Sequence, residues 1–158
     1  MSDKSFTTTF VVDQTPQAAF AAINNVREWW SEDVEGPTDH LDAEFSYSYL
    51  DVHRCHMKIV EFVPDEKVVW HCIDNYFSFT KDETEWVDTK LVFEISKHGD
   101  QTQIRFTHVG LVPEYECFDV CTNAWSGYVG ESLKTLITTG SGARNNEARN
   151  AEAQAQYK

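Results

Sequence analysis

Basic residues are scarce in this chain. Thirteen Lys and Arg stand against 26 Asp and Glu, a formal charge of −13 over 158 residues. So acidic a surface repels phosphate backbones and anionic lipid, which argues against nucleic acid and membrane partners. Long apolar runs are missing too, since none approaches the ~20 residues that a helix needs to cross a bilayer. Met1-Ser2-Asp3-Lys4 leads straight into a strand pattern without the apolar core of a signal peptide, so a cytoplasmic location is expected. The cysteines Cys55, Cys72, Cys117 and Cys121 are then expected to be reduced thiols. The sequence shows no internal repeat, no glycine-rich nucleotide loop and no Gly-x-Ser-x-Gly elbow. Nucleophilic catalysis therefore has no motif to rest on.

What is present is apolar bulk. Hydrophobic residues make up 41% and aromatics 13%, with five Trp and ten Phe. A single domain of this length buries roughly 70% of its unfolded surface and needs no disulfide or metal staple. The first strand is read from Phe6 to Val12, where β-branched and aromatic residues alternate. Thr15 then caps a helix that opens on Pro16, where a missing N–H costs nothing, and runs to about Asn24. Val26, Trp29 and Trp30 continue its apolar face into a second short helix or turn, which Gly36-Pro37 ends.

Antiparallel strands follow. Glu44 to Leu50 places Phe45, Tyr47 and Tyr49 on one face. Arg54–Val63 and Val68–Ile73 form a hairpin about Pro64-Asp65-Glu66-Lys67. From Asp74 to Glu85 the alternation weakens, with Tyr76, Phe77 and Phe79 set among acids, and a loop or short edge strand is expected. Trp86 to Ser96 is read as a strand with Val87, Thr89, Leu91, Phe93 and Ile95 inward. Lys97-His98-Gly99-Asp100 turns it into Thr102–Val109, where Ile104, Phe106 and His108 point inward.

Past Pro113 the period changes. Phe118, Cys121, Trp125, Tyr128, Val129, Ser132, Leu133 and Leu136 recur at helical spacing. A helix nearly ~40 Å long is predicted from about Glu114 to Thr139. Its early acids Glu114, Glu116 and Asp119 suit the helix dipole, and Gly140 ends it. Gly127 and Gly130 lie inside it, and their presence is read as close helix–sheet approach in preference to a ligand contact. Residues 143–158 are polar and bury little, so a disordered tail or a frayed helical extension is expected beyond a domain of residues 1–142.

The order strand, two short helices, antiparallel strands and one long helix resembles the START-like helix-grip superfamily, also called SRPBCC. Within it the chain looks most like the family named for the activator of heat-shock protein 90 ATPase. The residues behind the resemblance are Phe10-Val-Val-Asp-Gln-Thr-Pro-Gln-Ala-Ala-Phe20 ahead of Trp29-Trp30, and Glu61-Phe-Val-Pro-Asp-Glu-Lys-Val-Val-Trp70. They continue with Thr102 to His108-Val-Gly-Leu111, Ala124-Trp125 and Leu133-Lys-Thr-Leu-Ile-Thr-Thr-Gly140. The likeness spans roughly residues 5 to 142, with Ala124 where such proteins often have Gly before the helix Trp. The eukaryotic activator carries an additional chaperone-binding domain, for which these 158 residues leave no room. The resemblance implies an α+β fold in which a curved antiparallel sheet grips the C-terminal helix. It also implies a cavity between them for a small, mostly apolar ligand.

Candidate chemistry is limited. His53, Cys55, His56, His71, Cys72, Cys117 and Cys121 are metal-ligand types, but His53 and His56 fall on opposite strand faces. Cys117 and Cys121, one helical turn apart, read as small buried hydrophobes, so neither a metal nor a cofactor is expected. His108 is the best candidate acid or base, set against a plain strand-end imidazole bonded to backbone or to Tyr128. Asp74, Glu83 and Glu85 read as solvated. Tyr47, Tyr49, Trp70, Phe93, Phe106, His108, Trp125 and Tyr128 are the expected lining, part packing and part pocket wall. The leading expectation is a binding domain for a small apolar or aromatic molecule. An enzyme acting on a polyketide-like or aromatic substrate and a co-chaperone-like protein-interaction module are the alternatives.

Overall fold

The computed structural model describes residues 5–31, 33–49, 53–78, 80–81, 86–113 and 115–142. Seven strands form one antiparallel sheet in the order β1-β7-β6-β5-β4-β3-β2. They are β1 (Phe6–Val12), β2 (Val34–Glu35), β3 (Glu44–Tyr49), β4 (His53–Val63), β5 (Lys67–Phe77), β6 (Lys90–His98) and β7 (Gln101–Val109). Helices α1 (Pro16–Asn24) and α2 (Val26–Trp29) follow β1. The C-terminal helix comprises α3 (Phe118–Gly127), a π-helical turn over Tyr128–Leu133, and α4 (Lys134–Thr139). The sheet curves around this helix in a helix-grip fold, as expected.

Local chemistry explains the boundaries. Thr15 Oγ1 accepts from the Ala18 N–H at 3.1 Å and Pro16 begins α1. Gly140, at φ 86°, closes α4 with its N–H on the Leu136 carbonyl at 2.9 Å. Register shifts between His56 and Met57 and between Ile59 and Glu61 break the β4–β5 ladder twice. Such bulges bend a strand and increase its twist, which helps the sheet wrap. The inward residues Leu91, Phe93, Ile104 and Phe106 are buried, as their alternation predicts.

Four expectations need correction. The strand read from Trp86 begins at Lys90, because Asp88 adopts φ 69° and the Thr89 N–H folds back onto the Trp86 carbonyl at 2.9 Å. The alternation is thereby shifted, so Trp86 is buried and Val87 only half-buried. The weak stretch after Asp74 is instead a continuation of β5, with Asn75 and Phe77 buried, because β4 supplies its ladder partner beyond the reach of β6.

The long helix begins at Phe118 and not near Glu114, giving 22 residues and ~30 Å to Thr139. Tyr115 and Phe118 close turns, and the Glu116 carboxylate accepts from the Lys81 N–H at 3.0 and 3.1 Å instead of serving the helix start. Gly127 and Gly130 do not mark close approach, for a Cβ added at either meets nothing within 4 Å. Readings that touch Leu50, Phe79, Glu83, Glu85, Glu114 and the tail from 143 to 158 lie outside the described residues.

Candidate functional site

The space between sheet and helix is filled by aromatic rings. Trp70 from β5, Phe93 from β6, Phe106 from β7 and Trp125 from α3 are almost completely buried and touch in sequence. Ring centroids lie 4.8 Å apart for Trp70–Phe93, 5.0 Å for Phe93–Phe106 and 4.9 Å for Phe106–Trp125. Tyr47 is buried and stacks on Trp30 at 4.0 Å, while Tyr49 and Tyr128 are half-buried against the edge of the cluster. The residues expected to line a pocket thus pack together in, or against the edge of, the aromatic core.

Trp30 and Trp86 were not among the expected lining, yet both are central. Trp30 contacts Tyr47, Trp70, Trp125 and Tyr128, with centroids 5.2 Å from Trp125 and 5.8 Å from Trp70. Helical spacing gave no signal for it, because adjacent helical residues point about 100° apart. Trp86 stacks on Trp125 at 5.7 Å with an interplanar angle of 20°. His53, His108 and Phe77 meet its ring nearly edge-on at 4.5, 4.8 and 5.3 Å.

The hydrogen bonds of His108 are fixed by their donors. Trp125 Nε1 can only donate, so Nδ1 of His108 accepts, at 3.1 Å. The neutral ring therefore carries its proton on Nε2, which faces Thr89 Oγ1 at 2.8 Å. The Thr89 hydroxyl in turn donates to the Trp86 carbonyl at 2.6 Å. His108 is thus bonded to Thr89 and Trp125, not to backbone or Tyr128. Both nitrogens are committed, and burial, with the nearby His53 adding to it, lowers its pKa to about 3. A neutral, doubly bonded imidazole is a poor proton carrier near neutral pH.

His53 is likewise buried, and burial lowers its pKa to about 4 despite the 2.8 Å bond from Nε2 to Asn75 Oδ1. His56 lies on the opposite sheet face, bonded to Glu44 at 2.9 Å, as strand alternation predicts. Burial also pushes Cys72 up to about 12 and raises Cys55, so both are thiols and not thiolate nucleophiles. Among the described residues no three His, Cys, Asp or Glu side chains converge as a metal site requires. No helix among them is long and apolar enough to cross a membrane. A groove of about 500 Å³ lies on the outer sheet face, where Glu35, Ser46, His56 and Asp74 align across four strands. Beside that row the Arg54 guanidinium sits 4.4 Å from the Tyr76 ring centre.

Comparison with known proteins gives a consistent answer. The family model described as activator of Hsp90 ATPase homolog 1-like protein matches residues 18–138. No curated protein matches the chain. The solved Aha1 dimer from Colwellia psychrerythraea is similar at a TM-score of 0.70 and 18% identity, over 87% of this chain and 98% of that one. DynU16, from the dynemicin biosynthetic locus, gives 0.65 at 12% identity, over 91% of this chain and 51% of its own. CalU16 from Micromonospora echinospora gives 0.57 at 9% identity, over 97% and 84% respectively. At these identities the likeness is one of fold.

Proposed function

The chain belongs to the activator of Hsp90 ATPase homolog 1-like family, and from that premise we propose that it is a small-molecule binding domain. The ligand is apolar or aromatic and sits between the sheet and the C-terminal helix, within residues 1–142, in a protein working in the cytoplasm. The observation that carries this reading is the convergence of Tyr47, Trp70, Phe93, Phe106 and Trp125 from the sheet and its covering helix into one aromatic interior, into which a ligand would insert by displacing side chains. Aromatic walls with a few placed polar groups are the usual make-up of a ligand site. The full commitment of both His108 nitrogens favours binding over proton-transfer catalysis. A similar fold from a biosynthetic locus supports a small-molecule role.

Native mass spectrometry of the purified protein, followed by titration with the uncharged dye N-phenyl-1-naphthylamine, tests the reading. Micromolar dye binding, about −8 kcal/mol, is expected. Wild-type protein that neither retains a small molecule nor binds the dye would sink it. A second reading, a protein-interaction module, draws on the dimeric state of the Colwellia protein. Sedimentation of this chain as a monomer across a wide concentration range would remove self-association from that reading.

A further inference from the structure

We propose that the groove on the outer sheet face binds a basic amino acid, a zwitterion with a second ammonium group such as lysine. The site stands apart from the sheet–helix interior, so it does not depend on the reading above. Two cross-strand rows floor the groove, on the outward faces of β2, β3, β4 and β5. One runs Glu35, Ser46, His56, Asp74. The other runs Ser48, Arg54, Tyr76, with Asp33 beside Ser48, whose N–H donates to the Asp33 carbonyl at 3.3 Å. At the usual strand spacing the first row carries its two acids about 14 Å apart along the backbone, one at each side of the groove.

Charges of both signs stand unneutralised here. Arg54 shares the groove with Asp33, Glu35 and Asp74, yet it pairs with none of them. Its guanidinium is held instead over the Tyr76 ring, its direct partner in register, 4.4 Å from the ring centre. No acceptor among the described residues takes its N–H donors, which fit an incoming carboxylate in a two-bond fork. The carboxylates of Asp33 and Glu35 and the hydroxyls of Ser46 and Ser48 likewise have no partner among the described residues. Asp74 Oδ1 accepts only the Asn75 N–H, at 2.9 Å, and His56 is already held by Glu44. A lone solvated charge is ordinary, but an arginine that leaves every acid of its own groove unpaired is not. Three carboxylates against one guanidinium call for a guest with more positive than negative charge. A basic amino acid carries that set: its carboxylate for Arg54, its α-ammonium for the Asp33 and Glu35 side, and its side-chain ammonium for Asp74.

The test is an NMR titration of the isotope-labelled full chain with L-lysine, with cadaverine, which lacks the carboxylate, and with norleucine, which lacks the side-chain ammonium. Lysine should shift the Ser46, Ser48 and Arg54 amides, and each truncated analogue should bind about fivefold more weakly. Arg54→Gln should weaken lysine about fivefold while leaving cadaverine no weaker, whereas Asp74→Asn should weaken both. Lys58→Gln removes another cation of β4 and should leave lysine binding unchanged. All three side chains are exposed or half-buried, so these substitutions spare the core. Nα-acetyllysine, which imitates the end of a peptide, should also bind more weakly than lysine, and equal binding would overturn a free amino acid as the ligand. Cadaverine as tight as lysine, or equal losses in Arg54→Gln and Lys58→Gln, would reduce the groove to general charge attraction and overturn the site. So would saturating lysine that shifts none of these amides.

Discussion

The indole N–H of Trp125 donates to Nδ1 of His108 at 3.1 Å, and this bond ties the C-terminal helix to β7 while choosing the tautomer of the imidazole. Trp125→Phe would keep most of the ring but remove the donor. The variant should lose ~2–4 kcal/mol, from an unpaired buried acceptor and lost packing. Burial and the neighbouring His53, which hold the His108 pKa at about 3, remain in the variant, so His108 should stay neutral in the folded protein. Thermal melts and an NMR titration of the histidines check both effects. A His108 that titrates near neutral pH in the variant would show that the Trp125 bond, and not burial, keeps it uncharged.

The two buried histidines also set a pH dependence. Folding holds His53 and His108 neutral, with pKa values of about 4 and about 3, against 6.5 in the unfolded chain. As pH falls below 6.5 the unfolded state takes up protons that the folded state refuses. Stability contributed by the neutral rings is therefore full above 6.5 and is lost progressively down to the folded values. Each ring contributes a slope of up to ~1.4 kcal/mol per pH unit, so the two together approach ~3 kcal/mol per pH unit between pH 6 and pH 4. Urea denaturation across that range should show this slope, and His53→Gln should roughly halve it. A flat profile would mean that the rings reach water before the protein unfolds.

Much of this arrangement is legible in the chain, and what is not has identifiable causes. The inward register of Phe93, Phe106 and His108 follows from period two, and Trp125 from the helical period. Trp86 escapes both rules. Asp88 reverses the backbone through a left-handed conformation, so Trp86 and Thr89, three residues apart, point the same way. Trp29 and Trp30 are both buried although adjacent, because α2 ends there and the chain turns. Helical spacing also cannot reveal the π-helical turn, since Val129, Ser132, Leu133 and Leu136 satisfy either geometry. The polar links His53–Asn75 and Lys81–Glu116 join residues 22 and 35 apart in sequence, a distance no local pattern reports.

Gly127 and Gly130 offer a direct check of the helix packing. With space beside each, an added methyl encounters no neighbour and reduces the freedom of the unfolded chain. Gly127→Ala and Gly130→Ala should each raise stability, by ~0.5–1 kcal/mol. Destabilisation measured for either by chemical denaturation would mean that another surface approaches this face of the helix in solution.

Ser132, in the π-helical turn, holds the opposite side of that helix. Its buried hydroxyl donates to the Trp29 carbonyl at 2.7 Å, joining the C-terminal helix to the end of α2 where Trp29 and Trp30 enter the core. Ser132→Ala deletes the donor and leaves a buried carbonyl without it, so a loss of ~1–3 kcal/mol is expected. Ser132→Thr retains a hydroxyl and should recover part of that loss. The π-helical turn holds one residue more than the α-helical turn it replaces. Deleting Gly130 should therefore let the helix close into α geometry with Trp125 and Leu136 still facing the core, and cost less than Ser132→Ala. Thermal melts of the three variants give the ranking. A Gly130 deletion that costs more than Ser132→Ala would show that the π-helical turn itself is needed to place Ser132 on Trp29.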